Sequence, residues 1–402
     1  LRNQVEEIFT MCTKIILNPI VSKRRDNRKM ALLIMSALSE KYGPSVPAHL
    51  ISDVAHSCLL SISINMGDTK KWMAFNPSEH EEEETKDWAL MVGVLFVEKI
   101  STAIGKKKMV SHLVAITQQF LDHGDWERRA AALIGWGVVG DSFRRGRVVS
   151  IVDCAMSVAR DTHPRVRYSS IYLLGRVFCS FDINDHPSRI EKIFAYLITT
   201  LFDPIPQMVI IASAALSGLC GGCSKDILVA QYNVLVSLII SKLTECSNKG
   251  LLNLTSLFET ISHMARAVGK DRFMRDFPKV LTAIAPFLSS PFPSDSSDPP
   301  SAEVLLSRNI VDSAVRISLV LGADSLPLLS LFINKIDRKK DGHRFLTILI
   351  KAVHSGTPSQ ARETERRIAP FVKELSKTEE CTVQAILTKE ERKMLMRIVA
   401  SR

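Results

Sequence analysis

Three stretches of this chain repeat one pattern: DWERRAAAL from Asp125, HPRVRYSSI from His163 and PIPQMVIIASAAL from Pro204. Aligning Arg129, Arg167 and Val209 gives steps of 38 and 42 residues. Each period holds two stretches of helical spacing, and a lone helix pair cannot bury its apolar face. The chain is therefore expected to stack pair upon pair, each touching only its neighbours. A stack of this kind has long surfaces and no central pocket, which favours a binding protein over an enzyme.

The apolar spacing assigns the helices. Ile190, Ile193, Phe194, Leu197, Ile198 and Leu201 fall at i, i+3, i+4, i+7, i+8 and i+11, one full stripe of a helix. Met208, Ile211, Ala212, Ala215, Leu216 and Leu219 continue the rhythm in a second helix. Asp203, Pro204 and Pro206 make the turn between them, since proline is tolerated where the first helical N–H has no internal partner. The preceding unit turns at Asp161-Thr-His-Pro164 and points Val166, Leu173, Leu174 and Val177 inward. Units of this period and form are of the HEAT type, in which an acid and a base tie neighbouring turns; Asp161 and Arg167 fill those roles, and His123 and Val209 replace one member in the adjoining units.

The predicted pairs are 3–18 with 27–42, 46–64 with 86–104, 108–122 with 126–141, and 144–160 with 165–180. They continue as 186–201 with 206–220, 226–246 with 250–268, 271–288 with 301–322, and 325–336 with 342–354, followed by a helical segment from about 358. This is one all-α array over residues 1–402, with helical spacing already present at Val5, Ile8 and Phe9, as in an excerpt of a longer solenoid. Two insertions interrupt it, a loop at 67–85 that carries an acidic run, and a Ser/Pro/Asp-rich loop at 289–301 expected to be flexible.

Charge and cysteine usage narrow the setting. The net charge of +10 is concentrated at one end: residues 331–402 hold 16 Lys/Arg against 9 Asp/Glu. Such an end is either a solvated helical face or a surface for phosphates and acidic proteins. Eight cysteines scattered through apolar runs read as reduced thiols in a cytosolic or nuclear compartment. No secretory leader is apparent, and no uninterrupted apolar run reaches the ~18 residues of a membrane span.

Several short motifs have bland readings that fit better than chemical ones. Gly135-Trp-Gly-Val-Val-Gly140 matches a dinucleotide-binding string, yet it follows strong helix formers and no strand, so close helix packing is the better account. Cys220-Gly-Gly-Cys223 lacks a second ligand pair and falls at a helix end, where glycines terminate helices. Asn253-Leu-Thr255 lies in an apolar helix, which argues against glycosylation. No nucleophile–base arrangement, paired carboxylate or phosphate loop is apparent, so neither enzyme activity nor a cofactor is expected.

The order of three features is more specific. An acidic loop follows Trp72; after Ile104-Gly-Lys-Lys-Lys and Phe120-Leu121 come Asp125-Trp126-Glu-Arg-Arg129-Ala-Ala-Ala-Leu133 and then Asp161-Thr-His-Pro-Arg-Val-Arg167-Tyr168. This order resembles the importin-β karyopherins, in particular the large import receptors for ribosomal proteins and histones. The likeness covers Trp72 to about Leu288 and continues more weakly over Arg308–Leu331.

The resemblance implies a right-handed HEAT-repeat superhelical solenoid, here of about eight to nine helix pairs, with first helices on the convex face and second helices on the concave face. It implies shuttling between cytoplasm and nucleus through the nuclear envelope. Ran GTPase and protein cargo with basic localisation signals would sit on the concave side, and Phe-Gly nucleoporins between convex helices. Carried over, the partner-binding candidates are Trp88, Trp126, Trp136, Arg165 and Tyr168, with Glu81, Glu82, Glu83 and Glu84 as an acidic arm. Each tryptophan has a core reading beside the surface one, and the acidic run has the reading of a solvated loop. The alternative is a HEAT scaffold outside transport, contacting RNA or acidic proteins through the basic carboxy-terminal end.

Overall fold

The computed structural model describes residues 2–18, 25–43, 46–64, 66–74, 88–143, 145–245, 251–288 and 302–325, with isolated positions beyond. The acidic residues Glu81–Glu84, the loop at 289–301, the last pair expected at 325–336 and 342–354 and the basic end lie almost wholly outside the described residues. The chain divides into two compact units, Leu1–Cys223 and Ser224–Arg402. Among the described residues all regular structure is helical.

The first unit pairs α1 (Arg2–Leu17) with α2 (Arg25–Tyr42), and α3 (Ala48–Ile64) with α5 (Trp88–Ile104), with a six-residue helix α4 (Thr69–Ala74) between the latter two. Then come α6 (Lys106–Leu121) with α7 (Trp126–Val138), α8 (Arg145–Ser157) with α9 (Pro164–Ser180), and α10 (Pro187–Thr200) with α11 (Pro206–Gly222). Among the first helices α1 packs on α3 and α3 on α6, and second helices α2, α5, α7, α9 and α11 form a continuous second row.

The stripe read from sequence is the seam of the last pair. Ile190, Ile193, Phe194, Leu197 and Leu201 of the α10 segment are buried, and they face Met208, Ala212, Ala215, Leu216 and Leu219 of α11. Truncating one of them, as in Leu197→Ala, would cost about 2–5 kcal/mol. Ile211 is only half-buried and Val209 takes the inward place beside Met208, because α11 is covered on both flanks and not along one line. Val166, Leu173, Leu174 and Val177 are buried as the spacing demands.

The turns share one device. The Asp203 Oδ1 accepts the Ile205 N–H at 2.9 Å, and the Asp161 Oδ1 accepts the His163 N–H at 2.8 Å. In the unit before, the His123 Nδ1 accepts the Asp125 N–H at 3.0 Å, so histidine does the same work there. Each contact satisfies an N–H just before a helix starts and fixes where the second helix begins.

The glycine string is a packing device. A Cβ on Gly137 of α7 would lie 2.5 Å from the Tyr172 ring of α9, and one on Gly135 would overlap the Leu59 side chain of α3. With no side chain in the way, α7 is buried from Ala130 to its end at Val138.

The second unit holds α12 (Lys225–Glu245) against α13 (Leu251–Val268), then α14 (Lys270–Phe273), α15 (Phe277–Ile284) and α16 (Ala302–Leu321). The single helix expected over 271–288 is broken into α14, a turn at 274–276, α15 and a short 3-10 segment, Ala285–Leu288. Pro278 explains the break, since it fits only the first turn of a new helix. The break is tied to α12: the Tyr232 hydroxyl donates to the Asp276 carboxylate at 3.0 Å, and the Arg272 guanidinium lies 4.9 Å over the Tyr232 ring. By length and composition α12 is apolar enough to cross a membrane. Its buried positions, Leu228, Tyr232, Leu235, Val236, Ile239 and Leu243, form the one-sided stripe of a first helix in a stack.

Six described cysteines carry free thiols. Burial pushes Cys58 up to about 12, and burial together with the Asp182 carboxylate does the same to Cys223. Both stay protonated thiols near neutral pH, which is the wrong state for a nucleophile or a metal ligand. Among the described residues no cluster of metal-ligating side chains forms.

Candidate partner-binding face

The starts of α7 and α9 lie side by side, because their turns are cut from the same pattern one repeat apart. Trp126, the first residue of α7, is half-buried and stacks on the His163 ring with 3.8 Å between centroids and 11° between planes. The His163 Nε2 is 3.4 Å from the Thr69 Oγ1, at the start of α4. Asp68 holds that start, its Oδ1 accepting the Lys70 N–H at 2.8 Å.

One turn along α4, the Trp72 ring stands edge-on to Tyr168 at 5.5 Å and 86°, and the Arg165 guanidinium lies 5.0 Å from its centroid. Arg165 is only 4% exposed. The face thus gathers four aromatic rings, Trp126, His163, Trp72 and Tyr168, around the Arg165 guanidinium over three elements. Burial lowers the His163 pKa, and Arg165, Arg129 and Arg167 lower it further against the opposing pull of Asp161. His163 is therefore a neutral ring at pH 7, able to stack without carrying charge into the arginine cluster.

Beneath this face runs a ladder of ion pairs, in a register different from the expected one. The shared turn predicts a pair between Asp161 and Arg167, but the Asp161 carboxylate takes two hydrogen bonds from Arg129 of the preceding unit, at 2.8 and 3.1 Å. Arg129 also donates to the His123 and Gly124 carbonyls, at 3.0 and 2.8 Å. Arg167 donates to the Asp161 main-chain carbonyl at 3.0 Å and reaches 3.9 Å from the Asp203 carboxylate of the following unit.

The reason for this register is geometric. Within one turn the aspartate is occupied by the His163 N–H just before its own helix, so its free side faces back to the previous unit while the arginine faces forward. Burial alone would raise the Asp161 pKa; the Arg129 hydrogen bonds and charge and the His163 N–H outweigh it and hold the carboxyl below its ordinary value. Arg129 and Asp203 were absent from the candidate set, although the repeat alignment already placed them opposite Arg167 and Asp161.

The other candidates separate. Trp136 is 7% exposed and sits edge-on to Phe143 at 6.1 Å, inside the core that Gly135 and Gly137 allow to close; it is not a surface anchor. Trp88 begins α5, and its side chain lies outside the described residues, as do Glu81–Glu84. Trp126, Arg165 and Tyr168 come together, and Trp72, Thr69 and His163 join them without having been singled out. Trp72 marks the start of the family likeness, but it lies in the insertion, where no repeat predicts a neighbour.

Comparison with known proteins bears on what such a face belongs to. Residues 146–238 match the family described as the third TPR domain of Transportin-3/Importin-13. Over 227 residues the chain is 25% identical to importin subunit beta-3 of Saccharomyces cerevisiae, covering 56% of this chain and 20% of the relative. Solved structures of Kap121p show the same fold. That of Kap121p bound to RanGTP aligns with a TM-score of 0.63 at 17% identity over 93% of this chain and 35% of the other. That of Kap121p bound to Nup53p gives 0.64 at 17% identity, over 93% and 34%. In sequence and in fold this chain is similar to the importin-β HEAT-repeat proteins.

It spans about a fifth of the length of the yeast relative and a third of those Kap121p chains. Within this karyopherin-like array, the stretch matching the transportin family contains α9, α10 and α11, and with them the Arg167–Asp203 rung and the start of the aromatic face.

Proposed function

We propose that this chain is part of a nuclear transport receptor that binds protein cargo, engages Ran-GTP and Phe-Gly nucleoporins, and shuttles between cytoplasm and nucleus. The observation that carries this reading is the aromatic and arginine-rich face on consecutive second helices of an importin-β-type array. Tryptophan, tyrosine and arginine are the side chains most enriched at protein-binding hot spots. Support comes from Kap121p, of which solved structures hold RanGTP, Pho4p, Ste12p, Nup53p and Ulp1p.

Glu81–Glu84 complete the proposal. Glu81 follows the end of α4 by seven residues, so even a fully extended chain keeps it within ~25 Å of Ala74. An acidic run tethered there draws in a cargo segment rich in Lys and Arg, and the aromatic face seats the apolar part of the same segment. The test is the affinity of a basic localisation-signal peptide measured against salt. Changing Glu81, Glu82, Glu83 and Glu84 together to Gln should weaken binding and flatten the salt dependence. Equal affinity for both proteins at every salt concentration would remove the acidic run from the site. Retention of RNA instead of the peptide would favour the scaffold reading.

A further inference from the structure

The helix α4 is an odd element to find over a buried arginine. It has six residues, none of them buried, and Met73 at its end is 39% exposed. What it contributes to the face is one ring, Trp72, set between the Arg165 guanidinium and Tyr168, and one polar contact, Thr69 to His163. Arg165 nevertheless lies at 4% exposure, against a helix of which only Thr69 and Trp72 are even half-buried. A core element gains its place by burying apolar surface. This one gains it through a side chain that inserts into a receptive pair, which is how a bound peptide is held.

We infer that Arg165 and Tyr168 form a binding site for an aromatic side chain presented on a short peptide segment, and that Trp72 is its resident self-ligand. The chemistry of the site names the class of partner. A guanidinium over one ring face and a tyrosine at its edge select a π-system, worth most when the ring is tryptophan. A partner segment carrying such a ring takes the place of Trp72 and lifts α4 from α9. Because α4 is tethered, it competes at an effective concentration on the order of mM, so a partner must bring further contacts to win. The inference rests on the reading that this face receives partners. Its test uses neither Ran nor nucleoporins, so its failure would leave that reading standing.

The probe is a synthetic peptide of residues Thr69–Ala74 carrying 5-fluorotryptophan at the Trp72 position, followed by fluorine NMR against the 402-residue chain. With Trp72→Ala the site is vacated, and the peptide resonance should shift in a saturable way at peptide concentrations up to ~5 mM, a range set by the effective concentration of the tether. Wild-type protein should bind the same peptide at least tenfold more weakly, because the tethered ring occupies the site. Adding Arg165→Ala to Trp72→Ala should abolish the shift. Met73→Ala, on the same helix but outside the contact, should exclude the peptide as wild type does.

Matching thermal melts establish that the variants are folded, and Trp72→Leu, which keeps apolar bulk but no ring, serves if Trp72→Ala melts early. No saturable shift with the vacated site, or equal binding to wild type and Trp72→Ala, would overturn the inference and leave α4 as a fixed part of the fold.

Discussion

Arg129→Ala tests the ladder where it is best formed. The pair it breaks lies between a surface and a buried bridge, with side-chain exposures of 17% for Arg129 and 11% for Asp161. Surface pairs are worth about 0–1 kcal/mol, whereas removing one partner of a buried pair costs about 3–5 kcal/mol. The loss also frees the His123 and Gly124 carbonyls in the turn that precedes α7. We expect a cost of about 2–4 kcal/mol by urea unfolding at pH 7, with a coupling of ~1–3 kcal/mol between Arg129→Ala and Asp161→Asn in a double-mutant cycle. Asp161→Asn should cost less than Asp161→Ala, since the amide oxygen can still accept the His163 N–H.

The pH dependence supplies a sign that a merely steric loss would not. In the wild type the Asp161 carboxyl titrates below its unfolded value of about 3.9, so its stabilisation is present above that pH and is lost as pH falls through the lower folded value. Without Arg129, burial is left as the chief influence and pushes the carboxyl up. The penalty of Arg129→Ala should then shrink as pH is lowered from 7 towards 5, because protonation relieves the stranded charge. Hydrogen exchange should show the opening confined to α7 and α9, as expected when units are coupled only to neighbours. A penalty under ~0.5 kcal/mol, below even a typical surface pair, or one that grows on acidification, would refute this account of the seam.

Other expectations follow from particular contacts. Gly137→Ala should destabilise by about 1–3 kcal/mol through its collision with the Tyr172 ring; adding Tyr172→Ala should recover part of that loss in thermal melts. Trp136→Ala should cost about 3–5 kcal/mol as a core truncation, whereas Trp126→Ala should leave the melt nearly unchanged and weaken cargo binding by ~2 kcal/mol in calorimetry. In native protein Cys58, Cys154 and Cys223, with thiols pushed up to about 12, 11 and 12, should resist iodoacetamide at pH 8, and the exposed Cys179 should alkylate before these three by peptide mass mapping.

The helix pairs up to residue 268 were legible because their signals are redundant. Apolar stripes run for three or more turns, and prolines at 164, 187 and 206 mark helix starts. Where one signal stood alone the reading failed. The segment around Pro278 was read through as one helix because the apolar spacing on both sides happened to stay in phase.

The site was less legible than the fold. Asp161 and Arg167 share a turn, and sequence separation gives no indication that the carboxylate faces back and the guanidinium forward. The sequence leaves Trp136 open between core and surface because aromatic content marks both, and only the close approach allowed by Gly135 and Gly137 separates the two. Trp72 lies in an insertion, outside any period, so its docking on α9 is a tertiary fact with no local trace.

The most direct test of the transport reading is retention of the 402-residue chain on immobilised Phe-Gly repeats, with Ser-Gly repeats as control, alongside binding to Ran loaded with GTP or GDP. The account predicts retention on Phe-Gly but not Ser-Gly beads, and binding to Ran-GTP in preference to Ran-GDP. Equal behaviour on both repeat types, together with indifference to the nucleotide on Ran, would contradict it.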